Sequence, residues 1–302
     1  MRKLTLLAMA AAFGLIAGLS ALAQDLKPEV AAKIEKAIPQ LHFKPQQQRK
    51  VLVYTRANGF VHGSIPIAAK ALEMMGKKTG AYEVTKSTDD PAVFDSDLSS
   101  YDAIVLVSTT GDFLLPKDFG KLPEDQKKAA KAAEPNRKQA LLKYVESGKG
   151  LMGIHAASDA YYGWPEFGDL IGGYFQSHPY GKINIRVDDP QSPINRQFEG
   201  KNFEFTDEIY VFRPKPYSRD RVRVLLSVDV EKSGITNQAR EDKDYAVAWI
   251  RGYGKGRVFY TLFGHRDETY FNPVSMQYFL HGLQYALGDV AADAAPGVKA
   301  KE

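Results

Sequence analysis

The stretch Gly150–Asp159, GLMGIHAASD, constrains this chain more than any other. Leu151, Met152, Gly153 and Ile154 run without polar interruption into His155. A short unbroken apolar run reads as a strand buried on both faces, as in a parallel sheet covered by helices. Ala156, Ala157 and Ser158 behind it are small enough for a sharp turn. His155 would then stand at the carboxyl end of a parallel strand, the edge where open α/β sheets bind ligands.

The chain before this stretch alternates in kind. Lys50–Thr55 reads as a first buried strand, followed by a loop, Arg56–Gly63. Ser64 is placed to cap a helix with Pro66 in its first turn. Ile67, Ala68, Ala71, Leu72 and Met75 recur at helical spacing, and Gly76 or Gly80 marks the end. Tyr82–Thr88 is a second strand, Asp89-Asp90-Pro91 starts a short helix, and Tyr101–Val107 is a third strand. This alternation predicts a doubly wound, mainly parallel α/β sheet. Leu122–Ala133 reads as a partly helical insertion over one sheet edge, and Lys138–Glu146 as a separate amphipathic helix. From Lys182 onward the pattern becomes period-two, which predicts an antiparallel extension. Gly252, Gly254 and Gly256 lie between two strand-like runs and lack the strand-then-helix context of a dinucleotide fingerprint. They read as a hairpin turn, and no nucleotide cofactor is expected. A final helix is predicted over Val274–Leu287.

Residues 1–23 read as a signal peptide: Arg2 and Lys3, then an apolar run, then Ala21-Leu22-Ala23. The expected location is therefore periplasmic or secreted, with no membrane attachment after cleavage. Residues 24–48 read as a leader, 49–289 as one domain, and 290–302 as a disordered tail. The net charge is +4, and loss of Arg2 and Lys3 leaves +2, so nucleic acid is not an expected partner. Cysteine is absent, which excludes a cysteine nucleophile and restricts any transition-metal site to histidine and carboxylate ligands.

Six histidines carry the functional reading. His62, His155 and His265 each follow the carboxyl end of a predicted strand, so the fold should gather them at one sheet edge. His178 lies downstream and could reach the same edge. His42 and His281 read as structural or exposed. Histidine transfers protons near neutral pH and ligates zinc, copper, nickel or iron. Carboxylates near the same edge include Asp112, Asp159, Glu208 and Asp267, and a helical turn would put Asp159 on the face of His155. The set His62, His155, His178, His265 and Glu208 could hold a zinc-like divalent metal, though its spacing matches no compact motif. Tyr161, Tyr162, Trp164 and Phe167 read either as a sugar-stacking platform or as core.

With these residues in view, the chain resembles the trehalose-utilisation (ThuA-like) family, which shares the fold of class I glutamine amidotransferases. The resemblance spans about Lys50 to Leu287. It rests on His62-Gly63-Ser64-Ile65-Pro66, Gly153–Asp159, His178-Pro179, Asp207–Tyr210, and Ala248-Trp249 through Gly264-His265-Arg266. In the amidotransferases the turn after the equivalent strand holds a cysteine nucleophile. Here it holds His155, so glutamine hydrolysis through a thioester is excluded. The resemblance implies sugar metabolism, beside dehydrogenases that make 3-keto glycosides. It makes His155, His265 and Asp159 the candidate catalytic groups, and His62, Ser64, Tyr162, Trp164 and Arg266 the candidate substrate contacts. The expected partner is a small carbohydrate, with a homo-oligomer left open. The alternative is a carbohydrate-binding or interaction module without catalysis.

Overall fold

Apolar runs bounded by turn residues set three of the four strands of the first half; the edge strand is polar. In the computed structural model, which describes residues 26–178, 180–234 and 240–297, the four are Lys50–Tyr54 (β1), Glu83–Thr88 (β2), Ala103–Val107 (β3) and Gly150–Ile154 (β4). Ile65–Thr79 (α2) connects β1 to β2, and Gly80, in the left-handed conformation at φ +67°, ends it. Glu124–Glu146 (α3) leads into β4. A leader helix, Pro28–Ala37 (α1), precedes them all, and Pro165–Ile171 (α4) follows β4.

The second half supplies Phe175–Ser177 (β5), Tyr180–Val187 (β6), Phe203–Glu208 (β7), Val211–Phe212 (β8) and Arg223–Val228 (β9). Ala246–Tyr253 (β10) and Gly256–Thr261 (β11) follow the one-turn helix Val230–Ser233 (α5), and Pro273–Leu287 (α6) closes the set. Nine strands form one sheet in the order β2-β1-β3-β4-β11-β10-β9-β6-β7, and β5 pairs separately with β8. The five strands from β2 to β11 are parallel, and the four beyond are antiparallel. The sheet is thus the doubly wound, mainly parallel one expected, with its antiparallel extension. One detail differs from the sequence reading: β11 returns from the extension to lie parallel to β4, with Ile154 beside Thr261.

Two glycines of β4 record the burial of both sheet faces. A Cβ on Gly150 would lie 2.3 Å from the Ala286 carbonyl oxygen of α6, and one on Gly153 would lie 2.6 Å from Ile171 of α4. Positions three apart in a strand point to opposite faces. One helix therefore packs on each side, and the strand itself is fully buried.

Two sequence expectations change, for α3 and for the tail. The region around 122–146 is one helix, α3, rather than an insertion and a separate helix. Pro135 suggests a break because it removes a ladder hydrogen bond. Neighbouring contacts hold the helix through it: Arg137 grips Asp95 with two bonds of 2.8 and 2.7 Å and donates to the Leu114 carbonyl at 2.9 Å. The leader is docked, with Ile34 and Ala37 of α1 buried in the core and Arg49 bonded to Asp289 at 2.6 Å. The stretch from Val290, read as disordered, is packed as far as Gly297. Val290 is buried, Asp293 accepts from Arg223 at 2.7 Å, and Gly297 N donates to the Arg219 carbonyl. The expected signal peptide, residues 1–23, lies outside the described residues.

Candidate metal centre

Three strand ends set the site. His155 follows β4 directly, with φ +51°. A non-glycine residue in the left-handed region carries a strain of roughly 1–2 kcal/mol and needs outside support. The Tyr260 hydroxyl gives it, donating to the His155 carbonyl at 2.7 Å and lying 2.9 Å from Ser158 Oγ. Beyond β11, Gly264 takes φ +127°, and a Cβ there would meet the Tyr270 hydroxyl at 2.6 Å. Only glycine fits, and the turn it makes aims His265 back toward His155. His62 comes from the loop after β1.

The His155 ring is fixed by its neighbours. Nδ1 donates to the Leu262 carbonyl at 2.7 Å, which leaves the lone pair of the neutral ring on Nε2. Around that atom stand His62 Nε2 at 3.1 Å, the Tyr210 hydroxyl at 3.2 Å, His265 Nδ1 at 3.3 Å and Glu208 Oε2 at 3.5 Å. His265 Nδ1 is 3.3 Å from the same Glu208 oxygen. Ligand atoms of His62, His155, Glu208 and His265 all lie within 4.8 Å of one another. Tetrahedral zinc with bonds of about 2.0–2.1 Å places its ligands about 3.3 Å apart, a spacing that the 3.1–3.5 Å separations around His155 Nε2 match and the widest pair of the set exceeds.

The electrostatics agree with that use. Burial, then the adjacent His155 and His265, push His62 down to about 3. Burial also lowers His265, against the pull of Glu208. Burial tends to raise Glu208, but the hydrogen bond and field of His155, with the fields of His265 and His178, outweigh it and hold the carboxyl below its ordinary value. Neutral imidazoles and an ionised carboxylate are the ligand forms a metal requires. Asp207, wholly buried, is pushed up to about 6 by burial and accepts weakly from Gly264 N at 3.4 Å.

A cavity of about 440 Å³ opens over the cluster, lined by Phe60, His62, Asp159, His178, Glu208 and Tyr210 among others. His178 stands at its mouth, with Nδ1 3.5 Å from the outer oxygen of Glu208. It is therefore not among the four converging groups, contrary to the five-residue ligand set read from sequence. Asp159 ends a short 3-10 turn, His155–Ser158, and lines the cavity. Burial raises its carboxyl, which accepts a hydrogen bond from the Tyr162 hydroxyl.

The residues read as substrate contacts are dispersed. Ser64 is buried and donates to the Gly264 carbonyl at 2.8 Å, so it braces the His265 turn and does not cap α2 with its side chain. Trp164 is core, stacked on Phe167 at 5.5 Å. The Arg213 guanidinium lies 3.9 Å from the centre of the Tyr162 ring, covering one of its faces. Arg266 pairs with Glu268 at 3.1 Å and lines a different cavity, with Lys182 and Glu204. Sequence reasoning gave no role to Tyr210 or Phe60. Tyr210 was signalled by its spacing of two from Glu208, which favours one side of an extended segment. Phe60 carried no such signal.

Residues 50–286 match the family model of ThuA, described as trehalose utilisation, and the chain belongs to that family. Two solved structures share its fold. A putative ThuA-like protein from Bacteroides uniformis is 20% identical, with a TM-score of 0.59 over 80% of this chain and 92% of that one. Another from Parabacteroides merdae is 18% identical, with a TM-score of 0.56 over 83% of this chain and 98% of that one. No curated protein matches the chain.

Proposed function

We propose that the chain is an exported enzyme of sugar metabolism that cleaves or converts a 3-keto glycoside or disaccharide at a metal centre. His62, His155, His265 and Glu208 would hold the metal. The observation that carries this reading is the convergence of those four ligand atoms beside one cavity, which His62 and Glu208 line. The family's description, trehalose utilisation, supports a carbohydrate substrate.

A divalent cation bound there would supply Lewis acidity toward a ketone oxygen. The protein's own groups do the rest. A 3-keto group acidifies the C2–H bond, and His178, at the cavity mouth beside Glu208, is placed to take that proton. The released electron pair forms the C1–C2 double bond as the C1–O bond breaks. Asp159, on the cavity wall, returns a proton to the departing glycosidic oxygen. Proton and electron counts close within the site, and addition of water to the double bond would complete a net hydrolysis.

The test is elemental analysis of protein purified without chelator or affinity tag, paired with turnover of 3-keto-trehalose. Near-stoichiometric zinc, manganese, nickel or iron, lost together with turnover in His155→Ala, is the expected result. Metal-free, fully stable protein without turnover would sink the proposal.

A further inference from the structure

The Tyr210 hydroxyl and a bound cation compete for one lone pair. His155 Nδ1 donates to the Leu262 carbonyl, so in the neutral ring Nε2 carries no proton and can only accept. The Tyr210 hydroxyl lies 3.2 Å from that nitrogen and therefore donates to it. Among the described residues, His155 is the one hydrogen-bond partner this hydroxyl has. A lone pair serves one partner at a time, so a cation held through His155 Nε2 ends the bond from Tyr210.

Loss of that bond does not release the side chain, because packing holds the ring. Tyr210 is buried. Its ring centre lies 4.5 Å from that of Phe175, 4.8 Å from that of His155 and 6.1 Å from that of Phe212. Phe175 and Phe212 are partners across β5 and β8, and Phe212 is itself buried against Trp249 and Tyr260. A ring wedged among such neighbours has little room to turn away. The hydroxyl thus becomes a donor without a protein acceptor, beside the ligand cluster and on the wall of the cavity that His62 and Glu208 line. An unpaired buried donor is costly unless the occupant of the cavity accepts from it.

Resting on the metal centre and reaction proposed above, we propose that Tyr210 is a catalytic residue whose hydroxyl donates a hydrogen bond to the charged oxygen of the bound substrate, the ketone oxygen in that reaction. Loss of the C2 proton drives electron density onto this oxygen until the C1–O bond breaks and takes up the pair. A fixed hydroxyl aimed there stabilises the charge as it develops. The hydroxyl keeps its own proton throughout, since a phenol that titrates at about 10 is neutral at neutral pH. The same geometry makes Tyr210 a weak opponent of metal uptake, because its bond to His155 must break first.

Tyr210→Phe keeps the ring and removes only the hydroxyl. Cobalt(II) titration of the whole metal-free protein against a chelator is expected to show binding roughly twofold to tenfold tighter in the variant, as no hydrogen bond to His155 has to be broken. Acetate, whose carboxylate oxygen mimics the charged ketone oxygen, is titrated into the cobalt protein and followed by its visible spectrum. Its affinity should be about tenfold weaker in the variant. Turnover of 3-keto-trehalose should fall roughly 100-fold in kcat with KM little changed. Loss of cobalt from the variant would make Tyr210 a ligand and overturn the inference, as would acetate affinity and kcat that ignore the substitution. An unaltered protein that takes up no cobalt would overturn it together with the metal centre. Acetate affinity that depends on Tyr210, without turnover of 3-keto-trehalose, would defeat the proposed reaction and support the hydroxyl as the donor to a charged oxygen.

Discussion

Two histidines of the molecule, His155 and His281, differ in what faces them. His155 and His281 are equally buried. Both ring nitrogens of His281 have uncharged partners. Nδ1 lies 2.9 Å from Gln197 Oε1, and Nε2 lies 2.9 Å from Gln277 Nε2 and 3.1 Å from His42 Nδ1. The amides can turn to offer a donor or an acceptor, so this group ties the leader to α6 through His281. His155 Nε2 instead faces two imidazole nitrogens and a carboxylate, the side chains that ligate transition metals. Burial does not separate a structural histidine from a ligand. The chemistry of its partners does.

The contrast breaks most sharply on deletion. His155→Ala is expected to reduce metal to background and turnover by more than the roughly 10–100-fold typical of outer-shell partners. His281→Ala should leave metal content unchanged. Elemental analysis of the two variants side by side reads the difference. Gly264→Ala comes next: the left-handed strain of about 1–3 kcal/mol and the collision with Tyr270 should lower the urea midpoint and release metal together. A stable, metal-replete Gly264→Ala protein would show that the His265 turn is not needed for the cluster.

His281→Ala itself should lose about 1–3 kcal/mol in urea unfolding, because its glutamine partners stay buried without it. The same residue has a pH signature. Burial, with some contribution from His42, pushes it down to about 4, below its ordinary 6.5. As pH falls from 6.5 to 4 the unfolded chain takes up the proton first, so stability falls with acid, by at most about 1.4 kcal/mol per pH unit. His281→Gln should flatten that slope between urea midpoints taken at pH 7 and pH 5. The smallest effect belongs to Ser64→Ala, which removes the bond to the Gly264 carbonyl. It should cost about 1 kcal/mol and weaken metal retention against a chelator only a few-fold.

The sequence made the parallel half legible because its central strands β1, β3 and β4 are apolar runs, and His62, His155 and His265 each follow a strand of that half. It could not show that β11 flanks β4 on the side away from β3, because pairing across the antiparallel extension leaves no local trace. Trp164 and Arg266 were misplaced for a related reason. Proximity to a histidine along the chain says little about which side of the backbone a side chain takes, and these two turn to the core and to Glu268. Helix α3 was split because charged, alanine-rich Leu122–Ala133 and amphipathic Lys138–Glu146 differ in local pattern, whereas the Asp95–Arg137 contact that sustains the helix leaves no local signal.

The return of β11 to the side of β4 also governs when this site can come into being. His155 meets His62 from 93 residues away and His265 from 110. The strand carrying His265 follows the whole antiparallel extension, so no shorter piece of the chain assembles the cluster. Contacts of such long sequence separation close late and slowly, and a cation gripped by all three histidines stabilises only the finished sheet. Retained metal would thus certify that the chain has folded from β1 to β11.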